Sequence, residues 1–298
     1  MGGTSSKSSD YEEEHQLVIK ESNNQWNLKY EHAKLLEESV QLPCSVAELS
    51  ENAGKNRYSN KCFDFNRVIL PGRDGSDFIN ASWVDGYKAP GKFLLCQAPL
   101  QETVRDWWTM IFAHKIRVIV MLTRIVEQNQ EACFPYWSQV QRTSVNFGEF
   151  CVETNKVKVS RDHVVTSLRV TDGSGASLDV KHFAYTDWPS QQVPQDPFGF
   201  YNFLVKARKA QSKAELNKRN VLPMLVHSSA GLNRAGAFAA IEICLTQYNQ
   251  SKTIDLESVA RSLRKQRRDC LSLPQHYVFC HKFVSRELPA KLDEYTFS

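Results

Sequence analysis

Leu225 to Gly236 reads LVHSSAGLNRAG. It is the end of an apolar run of strand length, Val221 to Val226, followed by a small-residue loop whose one cation is Arg234. Ala237 to Leu245 (AFAAIEICL) follows, apolar and alanine-rich as a buried helix is. The order is strand, loop, helix. A loop that feeds a helix N-terminus presents backbone N–H groups to whatever lies above it, and the helix dipole adds about half a positive charge there. Arg234 supplies a planar fork that holds two oxygens of one anion, a geometry lysine lacks. The stretch therefore predicts an oxyanion cradle built from Ser228, Ser229, Ala230, Gly231, Leu232, Asn233 and Arg234.

Outward from the loop, the middle of the chain changes period. Val118 to Leu122, Phe150 to Val159, Val164 to Val170 and Leu178 to Phe183 are β-branched or alternate apolar and polar, with Gly173 and Gly175 as turns. Phe198 to Lys209 and Leu256 to Gln266 have helical spacing. Residues 25 to 40 also do, with Trp26, Leu28, Leu35 and Leu36 on one apolar stripe. Strands in the centre with helices before and after predict an α/β (α+β) domain.

The loop resembles the protein-tyrosine phosphatase family, whose strand-to-helix loop runs H-C-x-x-G-x-x-R followed by Ser or Thr and then Gly. Here Ser228 stands at the cysteine and Ala235 at the Ser or Thr. KNRY (Lys55 to Tyr58), DFINAS (Asp77 to Ser82), GYKAPGKFLLCQAPLQET (Gly86 to Thr103) and DWWTMIFAHKIRVIVMLT (Asp106 to Thr123) extend the likeness, which covers about residues 25 to 290. The resemblance implies a highly twisted mixed β-sheet flanked by helices, with the phosphate loop between a strand and a helix. As one compact domain with several altered catalytic positions, the chain is also similar to the bracovirus tyrosine phosphatase-like proteins, which implies a role in the cytoplasm of an infected host cell.

Set against the family pattern, the positions that perform chemistry have changed together. A loop cysteine in a positive field ionises near neutral pH, whereas the hydroxyl of Ser228 stays protonated there. HFAYTDWPSQQVP (residues 182 to 194) resembles the mobile loop whose aspartate protonates the departing tyrosyl oxygen, and that place is Ser190. Asp187, three residues earlier, is read as a solvated loop carboxylate and not as a replacement acid. Ser272 stands where a glutamine positions the hydrolytic water, His276 where a second glutamine stands, and Ala132 where a lysine pairs with the acid. Positions 228, 190, 272, 235 and 132 serve different steps of one reaction, so the resemblance implies an inactive member.

Binding positions are kept. By the same resemblance Tyr58 stacks on the substrate ring, and depth then selects phosphotyrosine over phosphoserine. Asn60 replaces an aspartate that accepts peptide N–H groups; its carbonyl accepts without the charge that strengthens such a bond. Glu127 corresponds to the acid that holds the loop arginine, Trp188 belongs to the mobile loop, and His227 props up the phosphate loop. Asn233 replaces a glycine; asparagine tolerates a left-handed backbone, so the loop is expected to keep its shape while the side chain crowds the pocket. Three functions stay open at this stage. One is an inactive protein that binds phosphotyrosine proteins, another an interaction scaffold that no longer takes phosphate, and the third a residual phosphatase.

Composition narrows the setting. The 298 residues carry 37 Lys and Arg against 33 Asp and Glu, a net +4 that gives no reason to expect nucleic acid. The basic run RSLRKQRRD, Arg261 to Asp269, reads as a solvated helix face. Eight cysteines without a CxxC pair, and no secretory signal, fit a reducing cytoplasm. No cofactor and no metal is expected. MGGTSS makes Gly2 a candidate myristoyl acceptor with Ser6 in place, and one acyl chain gives at most weak, reversible membrane association. The expected organisation is a disordered polar segment over 1–20, a phosphatase-like domain over 21–292 and a tail over 293–298.

Overall fold

The computed structural model describes residues 25–38, 41–71, 76–216 and 221–287. Gly2 with its acylation motif, the 1–20 segment, the 293–298 tail and the outer boundaries at 21 and 292 lie outside them. The described residues fall into two units, divided between residues 38 and 41. In the first, residues 25–37 form the expected helix, α1. Trp26 is 72% exposed and does not share the stripe of Leu28 and Leu35.

The second unit is built on a nine-stranded sheet. Its strands are β1 (Arg67–Ile69), β2 (Phe78–Gly86), β3 (Ala89–Gln97), β4 (Val118–Met121), β7 (Thr143–Phe147), β8 (Phe150–Val159), β9 (His163–Thr171), β10 (Ser177–Tyr185) and β11 (Met224–Ser228). A separate hairpin pairs β5 (Val126–Glu127) with β6 (Gln130–Glu131). The spatial order is β1-β2-β3-β11-β4-β10-β9-β8-β7. At the centre β3, β11, β4 and β10 run parallel, and both flanks are antiparallel. The residue types explain this division. VIVM in β4 is buried at every position, the continuous apolar run of a strand covered on both faces, whereas β10 alternates exposed and buried along its first half. The mixed twisted sheet with flanking helices is thus present as expected.

Helices α2 (Ser45–Glu48), α3 (Val104–Ala113), α4 (Pro197–Glu215), α5 (Asn233–Ser251), α6 (Leu256–Gln266) and α7 (Pro274–Lys282) complete the unit. The first turn of α4 is closed by Asp196, whose carboxylate accepts from the Gly199 N–H at 3.0 Å, with Pro197 at the first helical position. In the turn between β9 and β10 the Asp172 carboxylate accepts from the Ser174 and Ala176 N–H groups, and Gly175 takes φ 84°. Among the described residues no helix is long and apolar enough to cross a membrane.

The expected strand over Val221 to Val226 is displaced. It begins at Met224 and continues through His227 and Ser228, which pair with Cys96 and Gln97 of β3. Pro223 is the physical reason, since it has no N–H for a central ladder. The consequence is positional: Ser228 closes the strand at the C-terminal ends of the parallel strands, where β11 turns toward α5.

Candidate functional site

The residues that begin the loop are held from below. His227 is fully buried, its Nε2 lies 2.8 Å from the Tyr136 hydroxyl, and that hydroxyl lies 2.7 Å from His182 Nε2. Trp107 meets the His227 ring edge-on at 5.0 Å. Burial, with smaller contributions from His182 and Arg234, pushes the His227 pKa well down, so the ring is neutral. Its partner is Tyr136, and Ser228 Oγ instead accepts from the Gly231 N–H at 3.1 Å. The geometry gives Ser228 no general base.

Loop carbonyls are pinned on the side away from the cavity. The Ala98 N–H donates to Ser228 O at 2.9 Å and to Ser229 O at 3.1 Å. Arg267, only 1% exposed, donates to Gly231 O at 3.3 Å, Ala230 O at 3.4 Å and Ser82 Oγ at 3.2 Å. Because each peptide is planar and trans, a carbonyl held on one side aims the next N–H to the other. The N–H groups of Ser229, Ala230 and Leu232 are thereby turned away from those contacts, while the Gly231 N–H is spent on Ser228 Oγ and Gly231 itself does not line the cavity. Gly231 makes the bend at φ 69°; a Cβ there would lie 2.1 Å from the Cys96 carbonyl oxygen, so no other residue fits without moving β3.

Arg267 is a correction to the sequence reading, which placed the whole Arg261 to Asp269 run on the surface. Buried Leu256, Val259, Ala260 and Leu263 form the inner stripe of α6, and Arg267, the extended residue that caps the helix, follows four residues after Leu263 with its N–H on the Leu263 carbonyl. Helical spacing therefore carried the signal and the charge concealed it.

Arg234 is the second residue of α5 and is buried. Its two terminal nitrogens lie 2.6 Å and 2.9 Å from the two Glu127 oxygens, a bidentate pair, with Thr123 Oγ1 at 3.4 Å. Burial opposes ionisation of Glu127, but the Arg234 guanidinium outweighs it and holds the carboxyl below its usual range. Glu127 is delivered by the β5–β6 hairpin, whose two turn residues, Gln128 and Asn129, both have positive φ. The next wall comes from the segment at Lys55. Its ammonium is bound to Asp106 at 3.0 Å, and Arg57 donates to Glu131 O and Pro99 O, each at 2.7 Å. With those side chains committed to the scaffold, Tyr58 is left 48% exposed, its hydroxyl 2.8 Å from Ser229 Oγ.

These elements enclose a cavity of about 450 Å³. Ser228, Ser229, Ala230, Leu232, Asn233 and Arg234 line it, with Tyr58, Asn60 and Glu127. The altered positions Ser190, Ser272 and Ala132 face the same space, as do Gln191 and His276. Ala235 does not, being fully buried in α5, and neither Asp187 nor Trp188 lines it. Trp188 packs behind the wall, its indole N–H on Gln192 O at 2.7 Å. Among the described residues no cysteine borders the cavity, so no other thiol stands in for the cysteine that Ser228 replaces. What remains can bind an anion through N–H groups and a guanidinium.

Asn233 corrects the second expectation. It is the first residue of α5 and is not among the positive-φ positions, so the left-handed argument does not apply. Its amide oxygen accepts from the Leu273 N–H at 2.9 Å, and its amide faces Ser272 Oγ at 3.2 Å. The side chain ties the loop to the start of α7 and stays in the cavity wall, where Ser272 and Leu273 lie with it. Asn60 likewise spends its NH₂ group on the Asp269 carboxylate at 3.1 Å.

A family description, protein-tyrosine phosphatase, matches residues 52–286. The chain is 44% identical over 262 residues to tyrosine phosphatase-like protein J1 of Microplitis demolitor bracovirus (isolate Webb), a match covering 85% of this chain and 87% of that protein. Tyrosine phosphatase H2 of the same virus is 34% identical over 266 residues, covering 86% of this chain and 82% of that one. Tyrosine-protein phosphatase non-receptor type 9 of Mus musculus is 34% identical over 245 residues, 78% of this chain and 41% of its own length.

Proposed function

Because the chain belongs to the protein-tyrosine phosphatase family, we propose that it is an inactive member that binds phosphotyrosine proteins and so modulates signalling, shielding its ligands from active phosphatases. One observation carries this reading. Arg234 is held bidentately by Glu127 on a cavity whose reacting positions are Ser228, Ser190, Ser272 and Ala132. Charge recognition is organised there, and serine or alanine stands where the family pattern has its thiol, its acid, its water-positioning glutamine and its lysine. The cavity of about 450 Å³ that remains beside Arg234 with Asn233 in its wall favours a pocket open to phosphate over a scaffold that has closed it. Likeness to proteins named from a bracovirus supports a host cell as the place of action.

Calorimetric titration with a tyrosine-phosphorylated peptide and its unphosphorylated twin tests the proposal. Saturable binding of the phosphorylated form alone is expected, with no turnover of a small aryl phosphate by the same preparation. Equal binding of both peptides would leave an interaction scaffold, and saturable turnover would leave a phosphatase.

A further inference from the structure

His276 sits in the first turn of α7 and combines features that the reading so far leaves unused. Its ring is 1% exposed yet borders the cavity, and neither Nδ1 nor Nε2 has a hydrogen-bond partner among the described residues. Loose packing is not the reason. The ring stacks on Trp188 at 5.8 Å and 16°, and Trp188 is itself fixed by its indole bond and by edge contacts with Phe200 and Phe279. A buried ring in the wall of an anion cradle, with both nitrogens unpartnered and closed to solvent in the empty cavity, is a donor without an acceptor.

We propose that His276 is an anion-binding group of this cavity, which takes up a proton and donates a charged hydrogen bond when a tyrosyl phosphate enters. This rests on the phosphotyrosine reading above. The charged groups that line the cavity with the ring are Arg234 from α5 and Glu127 and Glu131 from the hairpin, and of these Arg234 acts on it. On α7 itself His281 and Lys282 lie more than a turn further along. Glu127 is spent on Arg234, and Glu131 shares an ion pair with Arg57 at 3.4 Å. Burial first and the field of Arg234 second push His276 down to about 4, so the empty cavity holds a neutral imidazole.

An anion seated on Arg234 offsets that field and favours imidazolium, returning the ring toward its ordinary value of about 6.5. The sign follows. A group whose pKa is higher in the complex than in the free protein tightens binding as pH falls between the two values, by at most about tenfold per pH unit. The second ionisation of a phosphate monoester, near pH 6, falls in the same window, so wild type must be compared with a variant in which only the ring is changed.

The full chain and His276→Gln would be titrated with one phosphotyrosine peptide at pH 7.5 and 5.5. Glutamine keeps an N–H donor but does not titrate. The affinity ratio of wild type to variant is expected to rise about tenfold at the lower pH. Imidazole nitrogen shifts in labelled wild type should show His276 gaining a proton in the complex, and they decide alone if the variant does not fold. A ratio independent of pH, or a ring still neutral in the complex, would overturn this inference and leave phosphotyrosine binding intact. Absence of phosphate-dependent binding at both pH values would overturn both.

Discussion

Arg234→Met is expected to weaken binding of a phosphotyrosine peptide about a hundredfold while leaving any contact with the unphosphorylated peptide unchanged. Removing one partner of a buried, hydrogen-bonded charge pair costs about 2–5 kcal/mol of binding, and each 1.4 kcal/mol is tenfold. The variant also strands Glu127, whose oxygens lie 2.6 Å and 2.9 Å from the guanidinium. An uncompensated buried charge costs about 3–5 kcal/mol of stability, so the single variant should melt earlier. Combining Arg234→Met with Glu127→Gln removes the stranded charge, and that protein should recover much of its stability without recovering affinity. Because the Glu127 pKa is depressed in the fold, the pair's stabilisation is present above the ordinary carboxylate range and is lost as pH falls through the depressed value. Denaturation and titration of the three proteins separate the two roles. Undiminished phosphopeptide affinity in the single variant would place the anion elsewhere.

Ser228→Cys combined with Ser190→Asp is expected to restore the first half of a phosphatase reaction and not the second. A thiol at the end of β11 would stand beside the same loop N–H groups and Arg234, a field that lowers its pKa and makes it nucleophilic. Attack on phosphorus forms the S–P bond as the aryl C–O–P linkage breaks at phosphorus, and the introduced carboxyl gives its proton to the departing oxygen. Acids in that role are worth about 10²–10⁴ in rate, so the double variant should exceed Ser228→Cys alone by a factor of that order. Hydrolysis of the phospho-enzyme should stay slow, because Ser272 offers no amide to orient water and Ala235 no hydroxyl for the leaving sulfur. Stopped-flow assay on an aryl phosphate should therefore show a burst of one product per protein and then near arrest. Adding Ser272→Gln should lift the slow phase. No burst, and no phosphate on the protein, would mean that the cavity no longer positions a phosphoryl group.

The loop could be read from its residues because it is local: small residues, one arginine, an apolar run on each side. The central strands were legible for a similar reason, since VIVM in β4 is apolar throughout. What escaped was set by tertiary partners. The start of β11 depended on which N–H groups the ladder needs, and Pro223 moved it to Met224. Asn233 looked like a tolerant loop residue until Leu273, forty positions away, supplied the N–H that turns its side chain. Arg267 was hidden by its own charge: a guanidinium with three acceptors beneath the loop is as buried as a leucine. Strands β2 and β3 were carried by the family likeness, and their residues alone had not marked them as strands.

A crystal of the wild-type chain grown with a phosphotyrosine peptide tests most directly whether the cavity holds its ligand without consuming it. The expected result is an intact phosphotyrosine, its ring beside Tyr58 and its phosphoryl oxygens on the Ser229, Ala230 and Leu232 N–H groups and Arg234. A peptide bound away from the loop, a dephosphorylated tyrosine, or a phosphate carried on Ser228 would contradict it.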